Sequence, residues 1–262
     1  MMTMRAYLAY CGKSFSKHIS YRSEVWLRII GNIVIMFIQV SIWKSLAASS
    51  PSHMLNISEM VTYSVITTSV MNLLMTRVYQ SIDSKLQSGD ICSDLQKPIS
   101  YPWYLFFEQL GTVGFQLLFN VVPSILIALL LFGIQLPEAS NLLPFLISLF
   151  LAMIISFLIG YLVALIAFWF LTTFALNWTL GALMTVFSGV FVPIWFFNPF
   201  WAELANMLPF QYLGYIPSAI YLGKIEQPYL ILLQGCGWAA TLLLVVNLLW
   251  WKAIKRLIVQ GG

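Results

Sequence analysis

Long stretches of this chain carry no charged residue, and this limits the folds that the chain can adopt. Three runs without Asp, Glu, Lys or Arg lie between these pairs of charged residues: Glu108 and Glu138, Glu138 and Glu203, and Glu226 and Lys252. Each run is longer than the roughly 20 apolar residues that a helix needs to cross a bilayer. The chain of 262 residues is 60% hydrophobic and only 8% charged. The sequence therefore predicts an all-α integral membrane protein.

The hydropathy pattern predicts six transmembrane helices in a single transmembrane domain, residues 1–262. The candidate spans lie at 26–47, 58–79, 103–132, 142–170, 177–197 and 229–251. The fourth and fifth are joined by a short segment, which predicts an antiparallel hairpin. Residues 198–228 contain four prolines among aromatic residues, a pattern typical of broken helices that dip into the outer leaflet.

Residues 1–25 are predicted to form an amphipathic helix in the membrane interface. An apolar stripe recurs there at helical spacing, made by Met4, Leu8, Cys11, Phe15 and Ile19. A helix with this pattern lies flat at the bilayer surface, with its apolar side toward the acyl chains.

The basic residues predict the orientation, because cytoplasmic flanks collect Lys and Arg. With six spans and both termini in the cytoplasm, only Lys44 and Lys224 fall outside. The cytoplasmic set is Arg5, Lys13, Lys17, Arg22, Arg28, Arg77, Lys85, Lys97, Lys252, Lys255 and Arg256. The net charge of +4 is thus a topology signal, and no nucleic-acid partner is expected.

The sequence contains no group of residues with the types and spacing of a catalytic site or a metal site. The three cysteines are far apart, and His18 and His53 fall on opposite sides of the predicted membrane. Gly12-Lys13-Ser14 ends like a phosphate-binding loop, but Tyr7 occupies the position of the required first glycine. We therefore expect no catalytic residue, no metal site and no ATP-binding motif on this chain.

Uncharged polar residues recur at helical spacing within the spans. The candidates for a substrate path are Asn32, Gln39, Asn72, Gln116 and Asn120. Two interpretations remain open: these amides hydrogen-bond neighbouring helices, as is routine in membrane bundles, or some of them line a translocation path.

The most polar stretch, residues 80–102, is predicted to be a cytoplasmic loop with one short helix. Gly89 breaks the preceding helix, the Asp90 carboxylate caps the new one by accepting the amide of Ser93 or a neighbour, and Pro98 ends it after about two turns. Ile91 and Leu95 form its apolar face. Such a short helix needs a surface to pack on, since it is unstable alone; the alternative is a solvated turn whose apolar residues dip into the headgroups.

Two motifs resemble those of type-2 permeases of ATP-binding-cassette transporters, the six-helix membrane subunits of bacterial exporters. Ser88-Gly89-Asp90 followed by Asp94-Leu95-Gln96-Lys97-Pro98-Ile99-Ser100 is similar to the family's G-x-L-x-x-L-L-[RK]-P-[IV]-S segment after the second helix. Phe187-Ser188-Gly189-Val190-Phe191-Val192-Pro193, leading through Asn198-Pro199 and Leu208-Pro209-Phe210 to Pro217 and Gly223, is similar to its F-x-S-G-x-x-x-P...FP...LPF...P...G signature. The chain departs from the family at Ile91, Asp94 and Asn198.

The resemblance implies an exporter subunit in the bacterial cytoplasmic membrane. It implies a cytoplasmic ATPase partner that binds ATP and Mg²⁺, so that this chain needs no cofactor, and a second permease, expected to be a related different chain or otherwise a second copy. The short helix becomes a coupling helix, with Gly89, Asp90, Ile91, Asp94, Leu95, Lys97 and Pro98 at the ATPase contact. The extracellular gate would comprise Gly189, Pro193, Pro199, Pro209 and Phe210.

The alternative function is an ATP-independent secondary transporter or channel. That function would need ionisable residues or broken helices at mid-membrane. Glu108 is the acid nearest to a span interior, and it lies close to the interface residues Trp103 and Tyr104. The substrate class expected for the exporter is amphipathic or polymeric.

Overall fold

The computed structural model describes residues 2–19, 22–49, 56–74, 82, 84–85, 88, 90–166, 168–169 and 174–260. Within these ranges the protein is helical, without β-strands. The helices are α1 Met2–Ile19, α2 Arg22–Ser49, α3 Ile57–Leu74, α4 Ile91–Leu95, α5 Tyr101–Gln116, α6 Val122–Phe132, α7 Ala139–Ile166, α8 Phe174–Phe187, α9 Pro199–Asn206, α10 Tyr215–Tyr221 and α11 Pro228–Gln260. A π-turn, Leu117–Val121, joins α5 to α6, and short 3₁₀ turns occupy Ile194–Phe196 and Pro209–Leu213.

Four helical segments of the described chain are long and apolar enough to cross a membrane. They are Val25–Ser49, Tyr101–Phe132, Ala139–Ile166 and Pro228–Lys255, and Ala175–Phe187 is a shorter apolar helix. The second predicted span, α3, is polar in part and is enclosed by protein: every residue from Met60 to Val70 is buried. A multi-pass membrane protein is therefore confirmed, and the count of six spans stays a prediction.

Three predicted span ends were wrong. The fifth span was placed to residue 197, but α8 ends at Phe187 because Gly189 adopts a left-handed conformation, φ +75°. The fourth was placed to 170, but α7 ends at Ile166, and the amides of Phe168 and Trp169 donate to carbonyls three residues back. The sixth continues past 251 to Gln260, since residues 252–260 contain neither proline nor glycine. Residues 75–79 of the second span lie outside the described residues.

Helix α7 connects the two buried ends of the bundle. At one end Phe157, Tyr161 and Leu165 belong to a cluster with Ile91 and residues of α5 and α11. At the other end Leu151 and Ile155 belong to a cluster with the segment 205–221. Because α11 packs along α7 over much of its length, the short loop helix and the proline-rich segment are held at opposite ends of one helix pair.

Helix α1 packs along most of the length of α5, and both run in the same direction. Tyr7 stacks on Phe107 at 5.3 Å between ring centroids, and Phe15 meets Phe115 at 5.9 Å. The predicted apolar stripe is divided, since Cys11 and Phe15 are partly buried whereas Met4, Leu8 and Ile19 are exposed. The helix is confirmed as an element, and its place in the membrane interface stays a prediction.

Candidate functional site

The segment 90–100 is attached to the protein through its apolar side. Ile91 is only 1% exposed and belongs to a buried cluster with Tyr101, Tyr104 and Tyr161, and the half-buried Leu95 packs against the same cluster. The Ser100 amide donates to the Tyr7 hydroxyl at 2.9 Å. Ile91 is therefore covered by this chain's own helices, and Leu95 is covered in part.

The cap of α4 differs from the prediction. The Ser93 amide donates to the backbone carbonyl of Asp90 at 3.1 Å, while the Asp90 carboxylate accepts from the Ser88 hydroxyl at 2.8 Å. The helix is also shorter than two turns: it spans Ile91–Leu95 and ends before Pro98. The predicted helix break at Gly89 lies outside the described residues.

An ion-pair cluster fixes the inner side of this segment. Asp94, 9% exposed, accepts hydrogen bonds from the Nζ atoms of Lys85 and Lys97, both at 2.6 Å. The two ammonium groups also lie 5.5 Å and 5.3 Å from the Tyr104 ring centroid, a cation–π distance. We call Lys85, Asp94 and Lys97 the Asp94 cluster.

The cluster also sets the charge states of its members. Burial of the Asp94 carboxyl favours its neutral form, but hydrogen bonds and charge attraction from Lys85 and Lys97 outweigh burial and hold its pKa below the usual value. The hydrogen bond to Asp94 in turn raises the pKa of Lys97. Asp94 and Lys97 are therefore both charged at neutral pH, and the attraction between them is retained.

The opposite side of the segment is exposed and polar. Asp90, Ser93, Gln96 and Pro98 are exposed, and Lys97 is half-buried. A protein that docks on this segment meets the exposed set first, since Ile91 and Asp94 lie behind it. Ile91 and Asp94 instead contact this chain's own residues and attach the helix to the bundle.

Four of the five predicted path residues are buried between helices. The Asn32 amide donates to the Asn120 carbonyl at 2.8 Å. Gln39 donates to the Val190 carbonyl at 3.3 Å and accepts from the Thr68 hydroxyl at 2.9 Å. Gln116 is buried, and among the described residues its Oε1 has no hydrogen-bond partner. These contacts support the interpretation that polar groups hold the helices together.

The fifth residue, Asn72, borders a cavity of about 280 Å³ between α3, α7 and α8. The wall is largely apolar and includes Met71, Ile159 and Met184. Its polar side chains are Asn72, Ser156, Asn177 and Thr185. Asn72 is partly buried, and its side-chain amide donates to the Thr68 carbonyl at 2.9 Å. The cavity is mainly apolar with a few polar groups, which is the usual chemistry of ligand pockets.

The first predicted gate residue, Gly189, sits at a tight junction with α3. The Tyr63 hydroxyl donates to the Gly189 carbonyl at 2.6 Å. A Cβ at Gly189 would lie 2.9 Å from both the Tyr63 hydroxyl and the Tyr215 Cβ. Neighbouring bonds support the junction, because the Tyr215 amide donates to the Ser188 carbonyl at 2.7 Å and Thr67 bonds Ser218, also at 2.7 Å. The junction therefore ties α3 to both ends of the segment 188–218.

The predicted gate prolines begin the short elements of this segment. Pro193 and Pro209 are buried and precede or open the two 3₁₀ turns, while the exposed Pro199 opens α9. Phe210 is 9% exposed within the core cluster at this end. Proline suits these positions, because the first helical residue needs no amide hydrogen bond. The broken helices expected for 198–228 are present.

Sequence reasoning missed two residues that organise these sites. Lys85 joins Asp94 from an earlier part of the loop, and Tyr63 reaches Gly189 across 126 positions. The Asp94–Lys97 pair could have been found from its i, i+3 spacing of opposite charges. The Tyr63–Gly189 contact could not be predicted from the local sequence. Polar residues recur along α3, and their spacing does not show which of them bonds to the backbone of another segment.

Comparison with known families agrees with this architecture. The family described as ABC-2 family transporter protein matches residues 53–261, which covers most of the chain and both candidate sites. No curated protein matches the chain. On the strength of the family match, this multi-pass membrane protein belongs to the ABC-2 transporter family, as a permease component of an ATP-binding-cassette transporter.

Proposed function

We propose that the chain is the permease subunit of an ATP-driven exporter, which moves an amphipathic or polymeric substrate out of the cytoplasm by alternating access. The observation that carries the proposal is the exposed polar face of α4, held by the Asp94 cluster within a chain of the ABC-2 family. A rigidly attached surface helix can transmit the movement of a partner to the bundle, because the helix and the bundle move together.

The coupling contact would be made by the exposed side of the segment. Asp90, Ser93, Gln96 and Pro98 would touch an ATPase, while Ile91, Asp94 and Leu95 would transmit its movement to α5 and α7. Gly89 and Lys97 remain part of the proposed contact. ATP and Mg²⁺ would be bound by that ATPase, so the hydrolysis step would not occur on this chain.

The substrate path is proposed along the cavity beside Asn72, which is the predicted path residue that borders open space. Asn32, Gln39, Gln116 and Asn120 would join the path only if their helices separate during the cycle. The gate is proposed at the Tyr63–Gly189 junction, together with Pro193, Pro199, Pro209 and Phe210. A displacement of α3 would move the segment 188–218 as well, because the two are hydrogen-bonded at this junction.

The proposed assembly contains two permeases, this chain and a related one or a second copy, with cytoplasmic ATPases. Its proposed location is the bacterial cytoplasmic membrane with both termini inside, as the distribution of Lys and Arg predicts. In that orientation the exposed side of the segment 90–98 would face the ATPase, and the proline-rich segment would face outward.

Site-specific photocrosslinking tests the contact. A photoreactive residue at Ser93 should crosslink to an ATP-binding-cassette ATPase in intact membranes, and the matched control at Ser140 should not. Both serines are exposed, but Ser140 lies at the start of α7, at the opposite end of the bundle. Equal crosslinking from both positions would contradict the assignment of the contact.

Transport in vesicles tests the energy source. Reconstituted permease alone should neither hydrolyse ATP nor transport, and both activities should appear when the ATPase and the second permease are added. Transport driven by an ion gradient without any ATPase would instead establish the alternative, a secondary transporter or channel.

A further inference from the structure

One side of α8 forms a wall of the cavity between α3, α7 and α8. The residues of α8 that line the cavity are Asn177, Leu180, Gly181, Met184 and Thr185. Their spacing is i, i+3, i+4, i+7 and i+8, which places them on a single side of a helix. Gly181 lies at the centre of this side, so a side chain at position 181 would point into the cavity.

The space in front of Gly181 is open. A Cβ at this position would meet no heavy atom of another described element within 4 Å. The wall formed by α7 also contains a glycine, since its lining residues are Ser156, Ile159, Gly160 and Val163. The width of the cavity at this level therefore depends on glycine at position 181, because a larger residue would fill the space.

The lining of the cavity determines which chemical groups it accepts. Its described residues include no charged side chain. Two of its polar side chains already bond within the protein, because the Ser156 hydroxyl donates to the Leu74 carbonyl at 2.7 Å and the Asn72 amide donates to the Thr68 carbonyl at 2.9 Å. A charged group in the cavity would lose hydration without gaining a counter-charge, which is strongly unfavourable. The lining therefore favours an uncharged, mainly apolar occupant.

We propose that this cavity binds an uncharged, mainly apolar group of the substrate and that Gly181 limits the width of that group. The inference rests on the substrate path proposed above, and it adds the chemical class of the bound group and a residue that selects it. The volume of about 280 Å³ is just below the roughly 300–1,000 Å³ of ligand pockets. A small molecule, or one segment of a larger one, therefore fills it.

Photolabelling with benzophenone tests occupancy of the cavity. Benzophenone is uncharged and mainly apolar, and under illumination it reacts preferentially with methionine, which suits a cavity lined by Met71 and Met184. The purified chain is labelled in phosphatidylcholine nanodiscs, and mass spectrometry measures labelling at each methionine. Labelling of Met71 and Met184 should saturate as benzophenone is added. Labelling of Met207, which is 61% exposed and outside the cavity, should rise in proportion to its concentration.

Substitution of Gly181 tests the width limit. Relative to Met207, labelling of Met71 and Met184 should fall at least about fivefold in Gly181→Leu and by a smaller factor in Gly181→Ala. The matched control is Gly237→Leu on α11, since Gly237 is outside the cavity and a Cβ there also meets no heavy atom of another described element within 4 Å. Labelling in this control should stay within about twofold of the wild type. Urea titration should show that both leucine variants stay folded, because leucine is a better helix former than glycine.

Probes of matched shape test the exclusion of charge. 4-Benzoylbenzamide is neutral, 4-benzoylbenzoate is anionic and 4-(aminomethyl)benzophenone is cationic. The neutral amide should label Met71 and Met184, relative to Met207, at least about fivefold more than either ion, because the cavity offers an ion no counter-charge.

Three results would overturn the proposal. They are labelling of Met71 and Met184 that does not saturate, equal effects of Gly181→Leu and Gly237→Leu, and equal labelling by the neutral and the charged probes. These measurements use the purified chain without ATP or an ATPase. A failure of this inference is therefore distinct from a failure of the exporter assignment, which has its own crosslinking and transport tests.

Discussion

Replacing Asp94 by Asn should release the loop helix from the bundle. The substitution preserves the shape of the side chain but removes the charge that holds Lys85 and Lys97 at 2.6 Å. Exposed ion pairs contribute about 0.2–1 kcal/mol, and hydrogen bonds to charged groups contribute about 1.5–3 kcal/mol. Because Asp94 is nearly buried and both lysines are partly exposed, we take an intermediate value of about 1 kcal/mol for each pair.

The expected loss is therefore about 2 kcal/mol, which corresponds to a rise of about 30-fold in the fraction of molecules with the segment detached. Amide hydrogen exchange of residues 91–99 measures this fraction directly, because exchange follows local opening. Amides in α7 should keep their protection, since the bundle core is unchanged. In the reconstituted transporter, the same variant should hydrolyse ATP with less transport per ATP.

Asp90→Asn is the matched control for this prediction. Asp90 lies in the same segment, is exposed, and its carboxylate bonds the Ser88 hydroxyl instead of a lysine. Exchange in the control should stay within about twofold of the wild type, since single exposed contacts contribute little. If Asp94→Asn and Asp90→Asn exchange alike, the Asp94 cluster does not hold the helix and the reasoning is refuted.

Three further predictions concern pH, the gate junction and the inner amides. Folding lowers the pKa of Asp94, so the stability that the Asp94 cluster gives to the segment is complete above the ordinary carboxyl pKa of about 3.9. This stability is lost as the pH falls through the lower pKa of the folded state. Protection factors of residues 91–99 should thus be constant from pH 8 to 5 and fall only in stronger acid. Gly189→Ala should lower the free energy of unfolding by about 2–3 kcal/mol in urea titrations in detergent, because alanine is strained in the left-handed conformation and its Cβ would crowd Tyr63 and Tyr215. The control Gly181→Ala lies in a helix with open space around it and should raise the free energy of unfolding by up to about 1 kcal/mol. Asn32→Leu should cost about 1–2 kcal/mol because Asn120 loses its partner, and the double variant with Asn120→Leu should recover most of that loss; a double variant less stable than Asn32→Leu would contradict this account.

The sequence was sufficient for the membrane class and for most helices because both depend on local composition. A charge-free run must find an apolar environment wherever it lies in the fold, so the runs after Glu108, Glu138 and Glu226 predicted helices that are present. Proline spacing likewise predicted the broken helices of 198–228, since proline restricts its own backbone and that of its neighbour.

Helix ends were predicted less well when they depended on distant contacts. The end of α8 is decided near Gly189, whose left-handed conformation is held by Tyr63 and Tyr215. Apolar residues continue through Phe191 and Val192, so hydropathy alone extended the span. The fold at this point follows from a hydrogen bond between residues that are far apart in sequence.

The spacing of Ile91 and Leu95 was enough to predict that α4 has one apolar and one polar side. Which helices cover the apolar side depends on the packing of the whole bundle. Tyr101, Tyr104 and the helix α7 receive the apolar side, and Lys85 adds a second partner for Asp94. Burial and ion pairing depend on which elements are in contact, and the spacing of residues within one helix does not show which elements these are.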